Sequence, residues 1–215
     1  MNRTDEQNWA DNVDSLKSTM ETMHRARERA LTQCRQIIQT ASKCIRHVHR
    51  HQYDQARTLL EEAKEIAVRT RGELRDHPEL LFAGYLQDAE KERVEAAAVL
   101  AMALSEPIPS AEVLAVEAAP YLNGMGEAAS ECRRYVLDEM RKGRHAEAER
   151  LLGQMEMVYD DLITFDYPDS LTGGLRRTCD ALRAVIERTR SDLTLTHSQQ
   201  ELLSELRLRR RRESD

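Results

Sequence analysis

The segment from Tyr85 to Leu104 constrains the possible folds of this chain more than any other segment. Its sequence is YLQDAEKERVEAAAVLAMAL. It begins with charged residues, and after Val94 it consists almost wholly of Ala, Val, Leu and Met. An apolar run of this length between charged flanks is typical of a core helix and is too short to span a membrane. Glu92 and Glu95 stand where the run begins, three positions apart and therefore on one helix face. Because a buried carboxylate needs a partner, another part of the chain must supply one for Glu95.

The composition favours an all-α protein. The 215 residues include 33% charged and only 4% aromatic side chains, and glycine and proline are scarce. A chain rich in Ala, Leu, Glu and Arg is typical of helical proteins. The net charge of -6 argues against a protein that binds nucleic acid over its whole surface. It is compatible with a local basic face.

Cysteine usage and the polar N-terminus, MNRTDEQNW, indicate where the chain resides. The four cysteines lie far apart and form no CxxC pair, so we expect reduced core residues: Cys34, Cys44, Cys132 and Cys179. We find no signal peptide and no candidate membrane span. The expectation is a cytoplasmic protein without membrane contact.

A long first helix is predicted from apolar residues that step by four and three, beginning at Trp9 and continuing to Val48. A period near 3.5 residues held over about forty positions indicates a seam against other helices. Since a helix of this length exceeds one small core, we expect its N-terminal half to pack against another subunit. An isolated coiled-coil arm is the alternative.

Further helices are predicted from Asp54 or Gln55 to the segment before Pro78, over 85–104, 120–142 and 146–164, and from Asp169 or Ser170 to about Ser191. A capping-box pattern at Ser198 and Glu201 predicts a short last helix. We assign residues 1–208 to a single helical domain and expect residues 209–215 to form a disordered basic tail. Glycines inside the 120–142 helix, Gly124 and Gly126, indicate that another backbone comes close or that a functional site is near.

Two pairs of carboxylates are candidates for chemistry, Glu92 with Glu95 and Glu127 with Glu131. If the two pairs face each other, their charges repel unless a cation enters. Oxygen ligands alone favour Mg²⁺ or Mn²⁺ over zinc, and such a site suits metal-assisted phosphodiester hydrolysis. Most acidic pairs at this spacing are solvated or salt-bridged, and that alternative stays open. A di-iron bundle is disfavoured because neither pair shows a Glu-x-x-His pattern.

Basic residues crowd the end of the first helix and follow the second acidic pair. The first group comprises Arg46, His47, His49, Arg50 and His51. These residues either stabilise the helix C-terminus through its dipole or contact phosphates. Arg133 and Arg134, two and three positions after Glu131, either hold phosphate near the acidic cluster or form ordinary salt bridges.

Several segments in order resemble the translin and translin-associated factor X family. They are ASKCIRHVHRHQYDQARTLLEEA, KERVEAA, PYLNGMGEAASECRR, RKGRHAEAERLL and MEMVYDDLITFDYP, and the resemblance covers about Arg25 to Arg190. It implies an all-α, seven-helix bundle without a sheet that binds single-stranded RNA and DNA. It also implies assembly into an octameric shell, and in the factor X branch a Mg²⁺-dependent endoribonuclease site.

The resemblance assigns catalytic and metal-binding roles to Glu92, Glu95, Glu127 and Glu131. The family usually has Asp where this chain has Glu127, and a side chain one methylene longer shifts the position at which a metal is held. The basic segment Arg46–His51 resembles the family's nucleic-acid-facing surface. We therefore expect a homo-oligomer that cleaves single-stranded RNA with Mg²⁺ or Mn²⁺. The alternatives are a non-catalytic module that binds single-stranded nucleic acid, including sequence-specific DNA binding, and a purely structural oligomer.

Overall fold

The computed structural model describes residues 3–214, and this part of the chain contains nine helices and no strand. In chain order they are α1 (Arg3–His49), α2 (Tyr53–Glu73), α3 (Pro78–Leu81), α4 (Tyr85–Leu104), α5 (Ala111–Leu114), α6 (Ala118–Arg141), α7 (His145–Leu162), α8 (Asp169–Thr172) and α9 (Leu175–Ser214). The all-α prediction is confirmed. Six long helices form the bundle, and the three four-residue helices lie in the connections between them.

Helix α4 is the central element, as its apolar run predicts. It packs against α1 on one side and α6 on the other, and it also contacts α2. From Val94 to Met102, every residue except Glu95 is buried. The apolar half of α4 therefore lies in the main core, and Glu95 is the one partly exposed position between Val94 and Met102.

The core consists of two clusters along α1. The larger one joins α4, α6, α7 and α9 with the C-terminal part of α1, and Val136, Leu151 and Leu182 are fully buried in it. The smaller one joins the middle of α1 with α2 and α3 around Ile37 and Leu74. All four cysteines are buried and free, as predicted for reduced core residues.

Two glycines allow α6 to lie unusually close to its neighbours. A Cβ added at Gly124 would lie 2.7 Å from the main-chain oxygen of Lys91 in α4, and one added at Gly126 would lie 2.5 Å from Cγ2 of Thr178 in α9. Both distances are too short for real side chains. The prediction that another backbone approaches these glycines is confirmed for Gly124, and at Gly126 the close neighbour is a side chain.

The last helix is longer than predicted. We expected an end near Ser191 and a separate short helix, but α9 continues without a break to Ser214. No glycine or proline interrupts it, and the hydroxyls of Thr194 and Thr196 donate to carbonyl oxygens four residues earlier, which lets helical geometry persist. The described part of the predicted basic tail, residues 209–214, belongs to this helix, and Asp215 lies outside the described residues.

Apolar side chains remain exposed on the two helix segments that extend farthest from the core. In α1, Trp9 and Met20 are 63% and 61% exposed, and in α9, Leu195 and Leu202 are also largely exposed. Packing of the N-terminal half of α1 against another subunit stays a prediction. Among the described residues, no helix has the length and apolar character needed to cross a membrane.

Candidate metal centre

Three of the four predicted carboxylates meet between α4 and α6. Glu92, Glu95 and Glu127 each place one carboxylate oxygen within 4.8 Å of the other two, and all three side chains are partly buried. They form what we call the acidic cluster. Its members come from two helices, and Glu95 and Glu127 are more than thirty positions apart in the chain, so the packing of α4 on α6 creates the cluster.

The close approach at Gly124 sets the geometry of this cluster. Gly124 lies three residues before Glu127, nearly one helical turn, and it faces the segment of α4 that contains Lys91 and Val94. Since Lys91 directly precedes Glu92 and Val94 directly precedes Glu95, contact at this point brings the acidic positions of the two helices side by side. A larger residue would hold the helices apart.

The acidic cluster carries unbalanced negative charge. Burial raises the pKa of Glu95 to about 8, and repulsion by neighbouring carboxylates, first that of Glu92, adds to the shift. Burial also raises the pKa of Glu92. Neither Glu92 nor Glu95 has a hydrogen-bond or ion-pair partner among the side chains that the structure describes, those of residues 5–207, 209 and 210.

One lysine offsets part of this charge. Nζ of Lys91 lies 2.7 Å from Oε1 of Glu127. The charge of Lys91 also lowers the pKa of Glu95, but burial and the neighbouring carboxylates raise that pKa by more. Three carboxylates and one ammonium leave a net negative site. Oxygen-only donors with surplus negative charge are the ligands that Mg²⁺ and Mn²⁺ prefer, so the residues present fit such an ion.

The fourth predicted carboxylate, Glu131, is held by a histidine. Nε2 of His49 lies 2.6 Å from Oε1 of Glu131, and the His49 side chain is only 2% exposed. Nδ1 of His49 is buried without a hydrogen-bond partner in the part of the chain that the structure describes. Glu131 thus belongs to the edge of the acidic cluster, near enough to Glu95 to raise its pKa.

The predicted basic residues of α1 separate into exposed and engaged side chains. Arg46 and Arg50 are exposed, whereas Nδ1 of His47 lies 2.7 Å from the side-chain oxygen of Gln52. His49 points into the protein toward Glu131, as described above. His51, just beyond α1, is exposed, but its ring nitrogens lie 2.8 Å from the hydroxyl of Tyr53 and from Nζ of Lys142. Arg46 and Arg50 are therefore the members of this group whose side chains are free to reach a phosphate.

The two adjacent arginines of α6, Arg133 and Arg134, also differ. Arg133 donates to Oγ1 of Thr189 at 3.0 Å and to Oδ2 of Asp192 at 2.7 Å, which ties α6 to α9. Arg134 is exposed, and it lies on the same face of α6 as Glu127 and Glu131 because it follows them by seven and three positions. Arg134 is thus placed near the acidic cluster, while Arg133 forms the salt bridge that the alternative interpretation described.

A cavity of about 250 Å³ lies beside the acidic cluster and was missed by sequence reasoning. Lys91 and Glu127 line it together with Asn123 and Arg177. Arg177 reaches it because the chain turns at Gly173 and Gly174 between α8 and α9, where both backbone φ angles are positive. Only the FDYPDSLTGG turn signal pointed to this region, and nothing in the sequence paired it with α4.

Comparisons with known proteins find close structural matches. The chain is similar to AfC3PO, solved alone and in a complex with duplex RNA, with 33% identity and a TM-score of 0.81 to each. The match covers 87% of this chain and 97% or 98% of AfC3PO. Apo-NeC3PO is 25% identical with a TM-score of 0.77, over 86% of this chain and 97% of that one.

One sequence relative also matches most of the chain. An uncharacterized protein of Methanocaldococcus jannaschii is 30% identical over 185 residues, which are 85% of this chain and 82% of the relative. No protein-family model matches the chain.

Proposed function

Because the chain belongs to the translin and translin-associated factor X family, which includes the C3PO proteins, we propose that it is an RNA-binding oligomer with metal-dependent endoribonuclease activity. The observation that carries the proposal is the meeting of Glu92, Glu95 and Glu127 from two separate helices. The complex of AfC3PO with duplex RNA supports RNA as the ligand class. We also propose that the protein prefers single-stranded RNA or DNA as its ligand. We propose further that it assembles into an octameric shell.

In this proposal, Glu92, Glu95 and Glu127 hold Mg²⁺ or Mn²⁺, and Glu131 completes the set at its edge. The chemistry that such an ion supplies when bound is polarisation of a phosphoryl oxygen and a lower pKa for a water that attacks phosphorus. The fit of the site is supported by its oxygen donors and by the absence of partners for Glu92 and Glu95 among the described residues. A cation would offset the repulsion that raises the pKa of Glu95.

The protein's own side chains would bind and orient the nucleic acid. Arg46, Arg50 and Arg134 are exposed cations that can contact backbone phosphates. The cavity beside Lys91 and Glu127 offers room next to the acidic cluster for a group of the substrate. These side chains make binding independent of the metal, so binding and cleavage are separable in experiment.

One contact favours a second candidate function, nucleic-acid binding without cleavage. Lys91 already pairs with Glu127 at 2.7 Å, so an ammonium group takes up part of the charge that a metal would neutralise. Glu127 also stands where the resemblance implies Asp, and its side chain is one methylene longer. In this alternative, the acidic cluster has a structural role, and the exposed arginines bind the nucleic acid.

The deciding experiment incubates the purified protein with labelled single-stranded RNA, duplex RNA and single-stranded DNA, each with Mg²⁺, Mn²⁺ or EDTA. The proposal expects cleavage of RNA that requires the metal and is lost in Glu95→Gln and Glu127→Gln, with unchanged solution mass. The matched control is Glu149→Gln, an exposed glutamate of α7. Cleavage that persists undiminished in both site variants would exclude the acidic cluster as the nuclease centre, and tight binding without cleavage would favour the alternative.

A further inference from the structure

A second cavity, of about 430 Å³, opens on the side of α4 that faces away from the acidic cluster. It lies between α2, α4 and the end of α5. Glu90 and Arg93 line it, and each is two positions from a member of the acidic cluster. Since positions two apart differ by about 200° around a helix, the two sites are on opposite faces of α4. The cavity is therefore separate from the proposed nuclease centre.

The lining of this cavity carries surplus positive charge. Three arginines line it, Arg71, Arg75 and Arg93, against one carboxylate, Glu90. Arg71 is already neutralised, because its Nη2 lies 2.8 Å from both carboxylate oxygens of Glu90. Its Nη1 also lies 3.4 Å from Oε1 of Glu117. Arg75 and Arg93 have no ion-pair partner among the side chains described, those of residues 5–207, 209 and 210.

Arg93 is the decisive residue because it is buried with unused hydrogen-bonding capacity. It is 3% exposed, and Nη2 donates to the carbonyl oxygen of Leu114 at 2.5 Å. Its Nε is buried and has no hydrogen-bond partner in the described part of the chain. A buried cation without a charged partner is destabilising, and a nearby anion offsets that cost. The guanidinium is thus prepared for a negatively charged group in the cavity.

The remaining walls are apolar and the entrance is open. Val68, Leu81 and Leu114 line the cavity beside the arginines. Gly72 stands in the last turn of α2 at the cavity, and a Cβ added there would meet no atom within 4 Å. A glycine inside a helix lowers its stability, and here no close neighbour requires one. Its absent side chain leaves the entrance free.

We propose that this cavity binds a small organic anion, whose acidic group pairs with Arg93 and Arg75 and whose apolar body lies against Val68, Leu81 and Leu114. The volume is within the range of small-molecule sites, and a few polar groups in an apolar lining are typical of them. Carboxylate and phosphate groups share the chemistry that arginine recognises. The site is independent of the proposed nuclease activity.

Calorimetric titration with three probes tests the proposal: benzoate, phenyl phosphate and the neutral benzamide. We expect at least one of the two anions to bind at least about tenfold more tightly than benzamide, since only the anions pair with arginine. The two anions distinguish a carboxylate site from a phosphate site. Gly72→Leu fills the entrance and should weaken anion binding by about tenfold or more.

The matched control is Gly153→Leu, because Gly153 is an exposed helical glycine whose added Cβ also meets no atom within 4 Å. This variant should bind the anion as the unchanged protein does. Arg93→Met should abolish the preference for anions over benzamide. If Arg93→Met does not fold, Arg75→Gln at an exposed position should reduce the same preference. Failure of both anions to bind, equal binding of benzamide, or unchanged anion binding by Gly72→Leu would each overturn the proposal.

Discussion

Gly124 lies so close to Lys91 that a Cβ at position 124 would be 2.7 Å from the main-chain oxygen of Lys91. The same Cβ would lie 2.7 Å from Cβ of Val94, so the contact involves the backbone and a stiff β-branched side chain. Neither can move aside without shifting the helices. The acidic cluster forms one turn farther along α6, and it depends on this contact.

Gly124→Ala is therefore expected to destabilise the protein, although alanine normally favours a helix. Over-packing at a close helix contact costs about 1–3 kcal/mol. The separation of α4 from α6 should also weaken Mn²⁺ binding, because the carboxylates no longer meet. Urea unfolding followed by circular dichroism measures the first effect, and Mn²⁺ titration by electron paramagnetic resonance measures the second.

The control for this prediction is Gly153→Ala. Its added methyl group meets no atom within 4 Å, so the usual helix preference should stabilise the protein by up to about 1 kcal/mol. If Gly124→Ala instead raised stability as Gly153→Ala does, the close contact would not constrain the two helices.

The raised pKa of Glu95 predicts how the stability of the metal-free protein depends on pH. Burial is the main cause of the shift to about 8, and repulsion by Glu92 is the next. Because the folded state binds the proton more tightly than the unfolded state, this contribution is fully present below the ordinary pKa of 4.5 and is lost as the pH rises toward 8. Within this window the loss is at most about 1.4 kcal/mol per pH unit.

Urea unfolding at several pH values between 5 and 8, with EDTA present, measures this slope. Glu95→Gln should flatten it, since the amide does not titrate, and should make the metal-free protein more stable near pH 8. Mn²⁺ should have the corresponding effect on the unchanged protein by offsetting the negative charge. An equal slope in Glu95→Gln would show that Glu95 is ionised at neutral pH without a partner.

The helices could largely be predicted from the sequence because their signals are local. The bounds of α4, Tyr85–Leu104, agree with the prediction from its apolar run, and the seam beginning at Trp9 indicated the length of α1. The continuation of α9 past Ser191 could not be predicted, because polar residues there also suit a loop. The hydroxyls of Thr194 and Thr196 bond within the helix instead.

The acidic cluster could be predicted only in part. Spacing along each helix placed Glu92 with Glu95 on one face, but which carboxylates meet depends on how α4 and α6 are aligned at Gly124. The partner of Glu131 was not predictable, since His49 reaches it from α1, 82 positions away in the chain. Arg133 and Arg134 are adjacent and look equivalent, yet helix geometry directs one to α9 and the other to solvent.

His49 is predicted to position Glu131 at the edge of the acidic cluster. Its replacement in His49→Ala removes the 2.6 Å contact and leaves Glu131 free to turn away. Residues that orient a metal ligand typically change affinity by tenfold or more, so Mn²⁺ binding should weaken by about tenfold. Calorimetric titration with Mn²⁺ measures the change. His47→Ala, which removes a contact only with Gln52, should leave Mn²⁺ affinity unchanged, and equal affinities in all three proteins would contradict the positioning role.

Arg134→Gln and Arg133→Gln should affect RNA binding differently, although the two residues are neighbours. Arg134 is exposed without a described partner, so its loss should lower the slope of log K against log salt by about one, as expected when one phosphate contact disappears. Arg133 is held by Asp192 and Thr189, so its loss should mainly lower the stability of the protein. Filter binding of single-stranded RNA at several salt concentrations, with urea unfolding of each variant, separates the two effects. The same salt slope in Arg134→Gln as in the unchanged protein would exclude Arg134 from the nucleic-acid surface.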